Sequence, residues 1–227
     1  MNKIFSFLVI LSAGFCFSSP QGDPGRIGIE ISKAIKGNSE LLKSYSWKMR
    51  LGVEKNGKTE PAKLYMVRFD IDGKLQVTPL NADSEDGRKI RPLKRLKERR
   101  KEKKDDFVEK VQELADQYAN PTTGQLVDFC QQGRFKAGVG GMKGTLKVHG
   151  EKLIQPGDTA TLWVRSDGYL PQKIAFTSQL KKNSLTGTIV FRTLENGPVY
   201  PARTIVQIAS RKNTRITIEN FDYNRQE

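Results

Sequence analysis

His149, Cys16 and Cys130 are the only histidine and cysteines in this 227-residue chain. A zinc centre or a Cys-His nucleophilic pair needs more partners than these. Cys130 follows Leu126, Val127 and Phe129 on the apolar side of a short helical pattern and reads as a small core residue. His149 precedes Gly150 at the end of a strand pattern and reads as exposed. The carboxylates are scattered: Asp70 and Asp72 flank a turn, Asp222 lies beside Tyr223, and no pair is spaced as acid and base. Ser184 and Ser210 fall in turns without a nucleophile-elbow pattern. The glycines at 138, 140, 141 and 144 lack a following Lys-Ser/Thr, so they read as a flexible connection rather than a phosphate cradle. The expectation is a non-enzymatic protein with no cofactor and no metal.

Two other constellations carry binding chemistry. Between Arg88 and Lys104 lie eleven lysines and arginines (88, 89, 91, 94, 95, 97, 99, 100, 101, 103 and 104), against Glu98 and Glu102. Such a run is either a solvated arm, with i,i+4 pairs worth about 0.3 kcal/mol each, or a contact for an anionic surface at about 1 kcal/mol per cation. The residues assigned to the second role are Lys94, Arg95, Arg99, Arg100, Lys103 and Lys104. The second constellation is apolar: Trp47, Met49, Phe69, Trp163, Phe176 and Phe191 lie in strand patterns. Such residues fill a core, or line a cavity if the sheet is strongly curved. The lining set is Trp47, Met49, Trp163, Phe176, Ile189 and Phe191.

The 39 Lys+Arg exceed the 25 Asp+Glu to give +14, which favours anionic partners without specifying a fold. Met1-Asn-Lys3 followed by Ile4 to Phe17 has the basic and apolar regions of a signal peptide, with cleavage expected after Ser18. A lipid-modified start at Cys16 competes, but Phe15 fits such a site poorly; a buried N-terminal strand is the other alternative. Removal of residues 1–18 takes Lys3 from +14 and leaves +13. One cysteine then remains, so no intrachain disulfide can form in an oxidising compartment. An exported, periplasmic monomer is expected, and export argues against nucleic acid as the physiological target.

The elements that must position these residues follow from periodicity. Ile27 to Leu42 is spaced as a helix that Gly37-Asn38 is expected to interrupt or end. Tyr45 to Lys55 alternates, with Trp47, Met49, Leu51 and Val53 on one face, and Asn56-Gly57 turns the chain into a strand carrying Tyr65, Val67, Phe69 and Ile71. A three-residue loop, Ile71-Asp72-Gly73, pairs Phe69 with Leu75 and Val67 with Val77 and so keeps one face apolar. It also sets Asp70 opposite Lys74. A polar loop over 81–87 leads to a helix from about Leu93 to Tyr118, ended by Asn120-Pro121, and then to a shorter helix capped by Thr123. Five β-type segments close the chain from Thr161 to Phe221. Turns at Asp167-Gly168, Lys182-Asn183, Asn196-Gly197-Pro198 and Lys212-Asn213 make them an antiparallel meander.

Leu162-Trp-Val-Arg165, Tyr169-Leu-Pro-Gln-Lys-Ile174, Thr188-Ile-Val-Phe191, Val199-Tyr-Pro-Ala-Arg203 and Thr217-Ile-Glu-Asn-Phe-Asp-Tyr223 together resemble the LolA-like family of periplasmic lipoprotein-sorting proteins. The resemblance covers about residues 158–223, with 27–80 compatible. It implies an α+β fold: a strongly curved antiparallel sheet, an open half-barrel, packed on helices around an apolar cavity that in carriers holds lipoprotein acyl chains. The domain expected is a single one over 19–227 with a helical insertion at about 81–134, whose basic helix departs from the family pattern. Two roles result: a periplasmic protein holding a lipid or lipid-modified protein under the sheet, or an envelope scaffold with a filled core whose basic helix binds an anionic membrane surface or acidic partner.

Overall fold

The computed structural model describes residues 23–80, 92–138, 144–209 and 213–226, with backbone only from 92 to 105. The expected signal peptide, the 81–87 loop, the middle of the glycine-rich stretch and Lys212 lie outside the described residues. Among the described residues three helices, α1 (Pro24–Leu42), α2 (Pro92–Ala119) and α3 (Thr123–Gln132), accompany eleven strands. The strands are β1 (Tyr45–Lys55), β2 (Lys58–Thr59), β3 (Lys63–Phe69), β4 (Leu75–Pro79), β5 (Arg134–Ala137), β6 (Thr145–Glu151), β7 (Thr159–Arg165), β8 (Pro171–Leu180), β9 (Asn183–Thr193), β10 (Val199–Ala209) and β11 (Thr214–Arg225). They form one antiparallel sheet in the order β4-β3-β1-β11-β10-β9-β8-β7-β6-β5, with β2 attached to β1. The sheet does not close. The fold is α+β, a curved open sheet packed on helices.

The five C-terminal segments form the meander β7 to β11 in succession, as their composition demands. Asn56 (φ 50) and Gly57 (φ 75) make the two-residue turn from β1 to β2. Gly73 takes φ 73, and Phe69 pairs with Leu75 and Val67 with Val77, the register expected from the apolar pattern. Asp70 lies opposite Lys74 as expected, its N–H donating to the Lys74 carbonyl at 2.9 Å. Its carboxylate accepts the backbone N–H groups of Asp72 (3.0 Å) and Lys74 (2.8 Å) and the Gln76 amide (2.8 Å). These bonds, that from Gln76 foremost, hold its pKa below the usual carboxylate range. Between β8 and β9 the loop is Lys181-Lys182, one residue earlier than expected, because Leu180 pairs with Asn183.

Three local readings change. α1 runs through Gly37-Asn38 without a break. Asn38 Nδ2 donates to the Val199 carbonyl and Oδ1 accepts from the Val199 N–H, both at 2.6 Å, so tertiary bonds offset the weak helix propensity of this pair. α3 is capped by Thr122 rather than Thr123, in a capping box with Gln125. The start of the glycine-rich stretch is not a plain connection: Arg134–Ala137 pairs with β6 as the edge strand β5.

Alternation sets the faces. Ala160, Leu162 and Val164 on β7, Ile174 and Phe176 on β8, Leu185 and Ile189 on β9, Val206 and Ile208 on β10, and Ile216 and Ile218 on β11 are buried. They share one core with Val111, Leu114, Ala115 and Tyr118 of α2, Ile31 of α1 and Phe129 of α3. α2 packs on β8, β9 and β10, while α1 packs on α3 and α3 on β6.

Candidate apolar-ligand site

The middle of the helix-facing side is filled. The Phe176 ring lies over Gly187, its cross-strand neighbour, and Tyr118 stacks on it with centroids 3.9 Å apart and planes 5° from parallel. Ile189 is fully buried in the same layer. Tyr118 is fixed in turn by Asp158, whose side chain sits in the turn before β7 and is only 1% exposed. Asp158 Oδ2 accepts the Tyr118 hydroxyl at 2.5 Å and the N–H groups of Ile154 and Gln155 at 3.0 Å, and Oδ1 accepts that of Leu153 at 2.9 Å. Burial, reinforced by this bond, pushes the Tyr118 hydroxyl pKa above its ordinary value, so it stays a neutral donor. Of the proposed lining, Phe176 and Ile189 are thus parts of a packed layer.

Trp163 must be reassigned. It alternates with the buried Leu162 and Val164 and therefore faces away from the helices. There Lys147 Nζ and Lys173 Nζ lie 5.3 and 5.1 Å from its ring centroid. It cannot line a cavity between sheet and helices.

Trp47, Met49 and Phe191 lie elsewhere. Met49 and Phe191 are half-buried against the core. Trp47 packs on Phe69 (centroids 5.9 Å apart) and stacks on Tyr223 (5.3 Å, 11°), and Tyr223 meets Tyr200 at 4.3 Å. The indole N–H donates to Asn220 Oδ1 (3.2 Å), and Asn220 donates to the Pro201 carbonyl (2.7 Å), which joins β1 to β11 and β10. Burial raises the Tyr223 pKa, with the neighbouring Tyr200 adding to it, so the Tyr223 hydroxyl stays uncharged. Beside it the apolar face continues onto β4, where Leu75 and Val77 are 49% and 45% exposed although they pair with Phe69 and Val67. The arrangement is an apolar, aromatic end of the sheet that remains half open among the described residues. It offers van der Waals contact and a few fixed hydrogen bonds, not chemistry.

No family model matches the chain, and no curated protein does. Solved structures do. A LolA superfamily protein from Nitrosomonas europaea is 12% identical, with 87% of this chain and 94% of that one covered at a TM-score of 0.37. A putative outer membrane lipoprotein-sorting protein domain from Vibrio parahaemolyticus is 12% identical over 89% and 93% (TM-score 0.41). A DUF1329 family protein from Desulfovibrio piger is 11% identical over 90% and 94% (TM-score 0.42). At these identities and TM-scores the likeness assigns neither a family nor a role.

The part of the basic run from Lys94 to Lys104 lies in the first half of α2, and the helix is continuous through it, as the absence of breakers requires. The side chains of Lys94, Arg95, Arg99, Arg100, Lys103 and Lys104 lie outside the described residues. Among the described residues no group of three or more His, Cys, Asp or Glu could hold a metal ion, and no helix is long and apolar enough to cross a membrane. A groove of about 450 Å³ lies over the row Glu54, Arg215, Gln207 and Thr186, with Ile208 and Ala209 also lining it, so it is mixed in character and separate from the aromatic end. Cys130 is fully buried and its thiol pKa is pushed up to about 12 by desolvation. In the folded protein it should resist an aromatic disulfide reagent at pH 8 and react within minutes once urea unfolds the chain. Fast labelling without denaturant would contradict this packing.

Sequence patterns did not single out Asp158, Tyr200 or Tyr223. The two tyrosines lie beside strand irregularities, at Pro201/Arg203 on β10 and at Ser46/Lys48 opposite β11, so simple alternation cannot place them.

Proposed function

We propose that this chain is an exported, non-enzymatic binding protein of the cell envelope that holds an apolar chain, a lipid or the acyl group of a lipid-modified protein, against the aromatic end of its sheet. The observation that carries this reading is the half-open cluster of Trp47, Phe69, Tyr200 and Tyr223 continuing onto exposed Leu75 and Val77. Exposed apolar surface that is contiguous with a core marks a binding place more often than an accident. The sequence resemblance to lipoprotein-sorting proteins supports the same reading, as does the apolar leader expected for export. The filled centre around Phe176 confines the ligand to this end.

The two tryptophans provide a direct test, because they lie on opposite faces. With Trp163→Phe, Trp47 is the only indole, and a brominated fatty acid should quench its emission saturably. With Trp47→Phe, the remaining Trp163 should not respond. Equal quenching of both, or of neither, would remove the apolar site from this end.

The basic half of α2 completes the proposal as the element that brings the protein to an anionic surface. Replacing Lys94, Arg95, Arg99, Arg100, Lys103 and Lys104 by Gln should weaken association with phosphatidylglycerol vesicles at least tenfold at low salt. In the parent the association should fall steeply with salt, since exposed charges are screened within about 8 Å at physiological ionic strength. The melting temperature should hardly change, because Lys97 to Lys104 has no apolar stripe to bury. A variant that binds as well as the parent would return the run to a solvated arm.

A further inference from the structure

The face of the sheet turned away from the helices carries a second constellation. The strand registers set Lys136 of β5 opposite Lys147 of β6, Lys147 opposite Trp163 of β7, and Trp163 opposite Lys173 of β8. These residues form one row across four adjacent strands, about 14 Å from end to end at the usual strand spacing. They alternate with the buried Leu146, Val148, Leu162, Val164 and Ile174, so the whole row faces outward.

The row continues through Val190 and Arg203 to Glu219 and Arg50, and there it is balanced. Arg50 and Arg203 each approach Glu219 at 3.5 Å. In the β5–β8 half no carboxylate plays that part: among the described residues none of the three lysines makes an ion pair. Instead, Lys147 and Lys173 hold their ammonium groups 5.3 and 5.1 Å from the Trp163 ring centroid. A ring between two cations orders both without neutralising either.

We infer that this strip is a binding surface for a linear carboxylated polysaccharide laid across the strands. Three uncompensated ammonium groups in a line supply the charge complementarity for a chain bearing repeated carboxylates. The adjacent row on the same face, His149, Thr161, Ala175 and Thr188, supplies two hydroxyls and an imidazole, with His149 Nδ1 2.9 Å from the Thr161 hydroxyl. Sugar hydroxyls suit such neighbours. A bilayer does not, because its interface rewards apolar side chains that protrude and insert, whereas the Trp163 ring is flanked by ammonium groups. The surface lies on the other side of the sheet from the aromatic end and does not depend on the reading given to it.

Calorimetric titration of the whole protein with short polygalacturonate chains at low salt tests the proposal. The K147Q/K173Q variant should lose at least tenfold in affinity. W163T, which keeps every charge but releases the two lysines, should lose about threefold or more. R50Q/R203Q removes the same formal charge from the balanced half of the row and should change affinity less than twofold. Circular dichroism confirms that each variant folds, which surface positions make the expected result. The proposal is overturned if the parent does not bind polygalacturonate, if R50Q/R203Q costs as much as K147Q/K173Q, or if the two lysines govern binding to phosphatidylglycerol vesicles and not to the polymer. A W163T variant that binds as the parent does removes Trp163 from the site.

Discussion

Asp158→Ala should destabilise the protein by about 3–5 kcal/mol, the largest loss expected from any single side chain outside the apolar core. Four donors converge on this carboxylate: the backbone N–H groups of Leu153, Ile154 and Gln155 and the hydroxyl of Tyr118. Alanine removes all four acceptor contacts at a place water does not reach, and each donor left unpaired costs about 1–3 kcal/mol before relaxation. For a chain of this length the loss corresponds to a fall of roughly 10 °C in melting temperature. Asp158→Asn should cost less, because its amide oxygen can replace Oδ2 while its NH₂ opposes the Leu153 N–H. Tyr118→Phe, which deletes one bond, should cost about 1–2 kcal/mol. Urea unfolding measures all three, and a loss below 1 kcal/mol for the alanine variant would show that the turn before β7 stands without its carboxylate.

Gly187→Ala should be the most damaging small change in the sheet. A Cβ at this position would lie 2.0 Å from Cζ of Phe176 and 2.3 Å from Cε1. The ring has little room to retreat, since Tyr118 is stacked on it at 3.9 Å and is itself tied to Asp158. Overpacking of this kind costs about 1–3 kcal/mol. Phe176→Leu, harmful alone because it empties part of the layer, should recover some of that loss when combined with Gly187→Ala. A double-mutant cycle should therefore give a coupling of about 1 kcal/mol or more. Strict additivity would mean that ring and glycine are not in contact. Under the proposed function, the packing of Gly187 and Phe176 is what closes the centre of the sheet and confines a ligand to the aromatic end.

Much of this architecture was legible from alternation and turn chemistry. The Phe69–Leu75 register followed from keeping apolar residues on one face, and Asn56-Gly57 and Gly73 carry the positive φ angles their turns require. The candidate site was less legible, for different reasons at each residue. Trp163 reads as lining because it sits mid-strand, yet parity places it with Thr159, Thr161 and Arg165, opposite the buried Ala160, Leu162 and Val164. Asp158 follows Pro156-Gly157 and looks like any turn aspartate; only the chain folding over it shows that four donors need it. Tyr223 follows Asp222, which takes φ 52, and a left-handed residue within a strand breaks the two-residue period that would have assigned its face. Gly37-Asn38 reads as a helix break from its weak propensity, and the partner that offsets it, Val199, lies 161 residues away.

Native mass spectrometry of the protein purified from its own envelope tests the central claim most directly. The expected result is a bound lipid or acyl-sized mass on the parent, reduced at least tenfold in occupancy by Trp47→Ala and unchanged by Trp163→Phe. A parent that carries no such mass, in a preparation whose Trp47 emission is also indifferent to brominated fatty acid, would contradict an apolar-chain site at this end of the sheet.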